Sequence, residues 1–198
     1  MTTAAIATEL PRDGRGRHAL GWWGMVFLVV NEATFFAYLL FSYFYVASAA
    51  RGTWPPSGSP ELKIALPNTI ILLISSGTMV WAERGITRGD QERLRIGLLI
   101  TFLLGALFIV LQGIEYGNKM FTPQSDVYGS LFFTITGFHG AHVVAGLLMN
   151  LFVQVRAWAG HFTARRHLAV SNVALYWHFV DVVWLFVFAS LYIAPRLA

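Results

Sequence analysis

Apolar residues along this chain gather in five long runs, separated by short polar or charged stretches. The runs extend over about Leu20 to Ala47, Leu66 to Trp81, Ile96 to Gly117, Tyr128 to Trp158 and Asn172 to Ala194. At about 1.5 Å per helical residue, runs of this kind cross roughly 30 Å of hydrocarbon. The second is the shortest and carries polar Ser75, Ser76 and Thr78. Between the runs stand RGTWPPSGSPELK, RGITRGDQERLR, NKMFTPQSD and AGHFTARRH, rich in turn formers and charge. The pattern predicts an all-α integral membrane bundle of five transmembrane helices over residues 20–198. A polar, basic tail precedes it at residues 1–19. That tail has no separate apolar stretch followed by a small-residue cleavage site, so it reads as a retained cytoplasmic tail and not as a signal peptide. No internal repeat or low-complexity segment is visible.

Composition agrees with the pattern. The chain is 56% hydrophobic and 12% charged, against about 45–50% and about 25% for soluble domains. It contains no cysteine, which removes disulfides, thiolate copper sites, iron–sulfur clusters and c-type haem attachment. The net charge of +4 reflects orientation and not nucleic-acid binding. Arg12, Arg15, Arg17, Arg84, Arg88, Arg93, Arg95, Arg156, Arg165 and Arg166 fall on one side of the five spans. Arg51, Lys63, Lys119 and Arg196 fall on the other. The positive-inside rule then puts the N-terminus in the cytoplasm and the C-terminus outside, periplasmic in a bacterium.

Six ionisable residues lie within the spans: Glu32, Glu115, His139, His142, His178 and Asp181. Such groups are expensive in hydrocarbon and mark function or packing by default. Counting along the helices puts Glu32, His139 and Asp181 about 14–17 Å deep, near the midplane. His142 and His178 come out roughly 9–13 Å from the inner surface, which suggests a second polar tier. Glu115 stands near the outer end of the third span. His139 and His142 share a helix face, as do His178 and Asp181. Gly137, Gly140, Ala141, Ala145 and Gly146 around the first pair permit close helix approach. The plainest account is a hydrogen-bonded network that fixes helix packing. A proton or ion path and haem or metal ligation are the other readings. His142 and His178 match in depth as a haem pair would, but no three or four ligands cluster at one level.

Glu32 sits in FLVVNEATFFAYLLF with only Asn31 as a polar neighbour in sequence. A carboxyl taken out of water favours its neutral form. It is either a neutral acid bonded to a neighbouring helix or a proton-exchanging group. Arg156 and His161, at the inner end of the fourth span, read as ordinary inner-side charge or as contacts for a lipid phosphate. Trp22, Trp23, Trp54, Trp158, Tyr176 and Trp177 read mostly as interfacial belts, and Trp184 as packing.

WWGMVFLVVNEATFF, LPNTIILLISSGTMVWAERG, LQGIEY, DVYGSLFFTITGFHGAHVVAG and YWHFVDVVWLFVF, taken in order, resemble subunit III of the haem–copper respiratory oxidases. The likeness runs from about Gly21 to Tyr192, with GFHGAHV and YWHFVDVVW its most specific parts. Five spans resemble the short bacterial form, which lacks the first two of the seven in the long form. The resemblance implies an accessory, non-redox subunit of a proton-pumping cytochrome c oxidase in a bacterial cytoplasmic membrane. It implies no cofactor in this chain, with haem and copper held by partner subunits. It also implies direct packing on subunit I, subunit II in the same complex, bound phospholipid, and support of proton uptake. Glu32 matches the family's carbodiimide-reactive glutamate, and Arg156 and His161 match positions that contact lipid head groups in the long form.

The remaining readings are subunit III of a quinol oxidase or of a nitric-oxide-reductase-associated homologue, an independent proton transporter, and a b-type haem protein. A transporter predicts repeats and broken helices. Within the network, His178 and Asp181 are expected to tie the last helix to its neighbours, with Glu32 and His139 as partners. The charge asymmetry makes a direct prediction about topology. A reporter active only outside the cytoplasm is expected to be active when fused after the last residue and silent when fused before the first; the reverse pattern overturns the orientation.

Overall fold

The computed structural model describes residues 20–50, 52–56, 58 and 60–197. The expected tail at residues 1–19, with Arg12, Arg15 and Arg17, and Arg51 in the first loop lie outside the described residues. Five helices are long and apolar enough to cross a membrane. They are α1 (Leu20–Ala49), α2 (Leu62–Thr87), α3 (Gln91–Gly117), α4 (Val127–Trp158) and α5 (Leu168–Phe188). A π-helical turn, Ala189–Ile193, follows α5 and leads into the short α6 (Ala194–Leu197). There is no strand among the described residues. The protein is thus an all-helical, multi-pass membrane protein.

The helices extend past the apolar runs, because a helix continues into the interface while its backbone bonds remain satisfied. Expected at Leu66–Trp81, α2 is 26 residues long. Its polar Ser75, Ser76 and Thr78 do not weaken the helix. Ser75 and Thr78 return hydroxyl bonds to backbone carbonyls within it. Asp90 stops the following turn and caps α3 by accepting a bond from Arg93 N–H at 3.0 Å. Gly89 takes a positive φ of 82° there, which folds α2 and α3 into a tight antiparallel hairpin. Asp126 caps α4 in the same way, through Gly129 N–H at 2.6 Å.

Helices α2, α3, α4 and α5 close a ring, each packing on the next and α5 returning to α2. α1 lies outside the ring, against α5 and α4, and buries only Phe36 and Tyr43. The buried side of α5 runs Val170, Val173, Trp177, Val180, Trp184 and Val187, and Leu191 of the π-helical turn continues it, every third or fourth residue. This spacing makes one continuous seam. At its centre Trp177 is fully buried. A side-chain carbon placed on Gly105 of α3 would come within 2.5 Å of its ring, and one on Gly146 of α4 within 2.9 Å. Both helices therefore need glycine where they meet the indole. The indole N–H reaches α2 and donates to Ser75 Oγ at 3.0 Å. One side chain thus touches three neighbouring helices.

Trp184, two turns on, is expected as packing. It also donates, to Thr69 Oγ1 of α2 at 2.9 Å, and its ring stands 4.9 Å from Phe108. Trp177 and Tyr176, read as interfacial belt residues, are buried instead. Their proximity to a span's apparent end misled that reading, because α5 begins at Leu168 and not near Asn172.

Gly105→Val should cost about 1–3 kcal/mol through overpacking, and Trp177→Phe roughly 1 kcal/mol through the orphaned Ser75 contact. Both are measurable as lowered resistance to SDS unfolding in mixed micelles. A Gly105→Val protein as resistant as the parent would show that the indole slot does not hold the bundle.

Candidate functional site

The six ionisable residues fall into separate groups, and their partners mostly come from residues whose role was not foreseen. Glu32 of α1 and His142 of α4 meet directly, His142 Nε2 to Glu32 Oε2 at 3.1 Å. The side chains are 29% and 15% exposed respectively, so the pair lies at the rim of the α1–α4 contact and not deep inside. The other ring nitrogen, Nδ1, stands 2.7 Å from Phe138 O. A carbonyl only accepts, so Nδ1 carries a proton and donates it there. The Nε2–Oε2 contact then holds a single shared proton. Either a neutral carboxylic acid donates to the imidazole, or an imidazolium donates to a carboxylate. Phe36 packs edge-on to the His142 ring at 4.9 Å, and Tyr176 O–H donates to His142 O at 3.4 Å.

The two expected tiers therefore collapse for this pair, since Glu32 was placed at the midplane and His142 nearer the inner surface. The reason is length. At 32 residues, α4 spans about 48 Å, well beyond the hydrocarbon, so depths counted from its end are displaced.

His178 of α5 stands 2.7 Å from Ser76 Oγ of α2 through Nδ1. Asp181, one turn on, is 4% exposed, and neither carboxyl oxygen has a hydrogen-bond partner among the described residues. Ser76 lies close to Asp181 too, outside bonding geometry. The last helix is tied to α2, and Glu32 is not its partner, because Glu32 is engaged by His142. His139 makes no hydrogen bond through either nitrogen among the described residues. Its ring packs 4.8 Å from Trp184 and 5.8 Å from Phe108, so it behaves as a core aromatic. Two residues judged co-facial in sequence, His139 and His142, thus serve different surroundings.

Glu115 is buried at the outer end. It accepts from Tyr192 O–H at 2.8 Å and pairs with Lys119 Nζ at 2.7 Å. Lys119, counted in sequence as plain outer-side charge, has only 8% of its side chain exposed and lies over the rings of Phe132 and Tyr192. The π-helical turn carries Tyr192. The i, i+4 spacing of Glu115 and Lys119 was the available signal.

At the inner end Arg156 is half-buried and lies over Phe152 and Phe162 at 5.6 and 5.4 Å. His161 is exposed and meets Arg156 through its backbone, N–H to O at 3.1 Å. Around them Gln91 donates to Phe162 O, Arg95 to Ala157 O, and Gln154 to Arg95 O. These bonds fix the end of α4 and the loop after it to the start of α3. Among the described residues no three His, Asp or Glu side chains are grouped so that they could hold a metal ion.

Residues 16–195 match the family described as Cytochrome c oxidase subunit III. The cytochrome c oxidase subunit 3 of Arabidopsis thaliana is 40% identical over 177 residues, covering 86% of this chain and 67% of the relative. That of Oryctolagus cuniculus is 39% identical over the same length, covering 86% and 68%. That of Osphranter robustus is 40% identical, again covering 86% and 68%.

Removing the Ser76 hydroxyl tests whether the His178 contact holds helices together. Ser76→Ala and His178→Leu should each weaken the bundle, and a double-mutant cycle should return a coupling of about 0.6–1.7 kcal/mol, the scale of such bonds in membranes. A coupling of zero would mean the contact is incidental.

Proposed function

The chain belongs to the cytochrome c oxidase subunit III family, and on that premise we propose that it is an accessory, non-redox subunit of a proton-pumping haem–copper terminal oxidase. It packs on subunit I, shares the complex with subunit II, and works in aerobic respiration with cytochrome c as donor. The name shared by the relatives supports that donor over a quinol. The five spans support a multi-pass place in the membrane that carries the oxidase.

The observation that carries the proton role is the Glu32–His142 pair. It sets two bases 3.1 Å apart with one proton between them, at the rim of a helix contact and part-exposed. Such a pair is placed to take up or release a proton at the edge of the bundle. A buried structural bond would be sealed, as Glu115 is by Tyr192 and Lys119. Arg156 and His161 supply a guanidinium and an imidazole at the inner end for a phospholipid head group. Among the described residues Arg156 faces rings and no acid, which leaves its charge for an anion.

Affinity purification of the chain in mild detergent should bring down a many-span partner with haem bands and oxygen consumption. A colourless chain without that partner would refute the assignment. Within the purified oxidase, Glu32→Ala should abolish carbodiimide labelling of this chain and shorten the period of sustained turnover several-fold, with the initial rate near the parent's. His142→Leu should act in the same direction. A Glu32→Ala oxidase that turns over as long as the parent would remove the carboxyl from proton supply.

A further inference from the structure

α1 presents one side to the bundle and leaves the opposite side uncovered. On that opposite side stand Phe27, Asn31, Thr34, Tyr38, Phe41 and Tyr45, all exposed. Their spacing of three and four residues makes one stripe along the helix axis. Four of the six are aromatic, and the ends of such a stripe suit an interfacial belt. Its middle does not. Asn31 and Tyr38 flank the midpoint of the 30-residue helix by about 5 Å each, inside the hydrocarbon.

Tyr38 is 68% exposed. Neither the Asn31 amide nor the Tyr38 hydroxyl bonds to any described residue. Thr34, between them, satisfies itself on Val30 O at 3.0 Å. An amide left without a partner in hydrocarbon is costly, and from this depth neither side chain reaches the head groups. The two orphans lie about 10 Å apart, two turns of helix. Lipid tails offer them nothing.

We propose that this stripe is a docking surface for a transmembrane helix of another subunit, one that presents hydrogen-bonding side chains two turns apart, level with Asn31 and Tyr38. Polar groups of this kind join helices in membranes where burial alone supplies little drive. Aromatic side chains above and below fill the interface at small entropy cost. The choice of a different polypeptide rests on the assignment above to a subunit of a multi-subunit oxidase.

The test uses the purified oxidase complex with photo-reactive benzoylphenylalanine in place of Phe27, Tyr38 or Tyr45, one at a time, and in place of Phe44 on a flank of the stripe. The three stripe positions should crosslink to one membrane segment of one partner subunit, at points spaced by turns of a helix. Phe44 should not. Asn31→Leu should release this chain from the complex about 3- to 20-fold more readily in a detergent titration, the range expected for one interhelical bond, and Asn31→Gln should restore retention. Adducts with lipid alone at all three positions, or with a second copy of this chain, would overturn the proposal. So would retention unchanged by Asn31→Leu. A chain that never purifies with an oxidase would instead refute the functional assignment, which keeps the two failures apart.

Discussion

One indole organises the bundle. Trp177 fills a slot that exists only because α3 and α4 carry glycine where they face it, and its N–H ends on a serine of α2. In a bilayer the helices gain little from hiding apolar surface, since lipid is as apolar as their side chains. What holds them is close packing and satisfied polar groups. Trp177 supplies both at a single point. Its position fixes the register of α5 against three partners, and that register decides which residues of α5 meet α2 two turns along. The Trp184–Thr69 bond and the His178–Ser76 contact follow from it.

The same constraint explains why ionisable residues persist in this interior. The bundle does not gather them into one network. It distributes them, each contact joining a different pair of elements: Glu32 to His142 for α1 and α4, His178 to Ser76 for α5 and α2, Glu115 to Tyr192 for α3 and the π-helical turn. Separate joints suit a membrane bundle. Each fixes one interface, and a change at one leaves the others standing.

The elements were legible in sequence because a span needs length and apolarity, and both are local properties. The candidate residues were legible for the same reason, since a charge inside an apolar run is visible without a structure. Their partners were not. Ser75 and Ser76 read as a weakness of the second span, because a hydroxyl is neutral to any scale that scores residues one at a time. Lys119 read as a loop charge, because the sequence does not say that Tyr192 and Phe132 cover it. His139 and His142 share a face by spacing, yet one packs among rings and the other meets a carboxyl. A face is broader than the edge of a neighbouring helix, so co-facial residues can meet different helices.

α1 shows what this division of labour means for function. It buries two residues, against twelve in α5, and few polar contacts tie it down. One is Asn172 Nδ2–H to Gly21 O at 3.1 Å, near its start. The other among the described residues is Glu32 with His142. Mid-membrane this helix is joined to α4 by the Glu32–His142 contact, with Phe35 and Phe36 packed on the Phe138 and His142 rings beside it. Removing the shared proton leaves a carboxylate facing a lone pair, and adding one leaves an acid facing a cation. Either step weakens the joint, so proton occupancy at Glu32 and the seating of α1 on α4 are linked equilibria. A proton-exchanging carboxyl placed anywhere in the α5 seam would disturb packing shared by three helices. At the edge of α1, where Glu32 stands, the disturbance is confined to the α1–α4 contact.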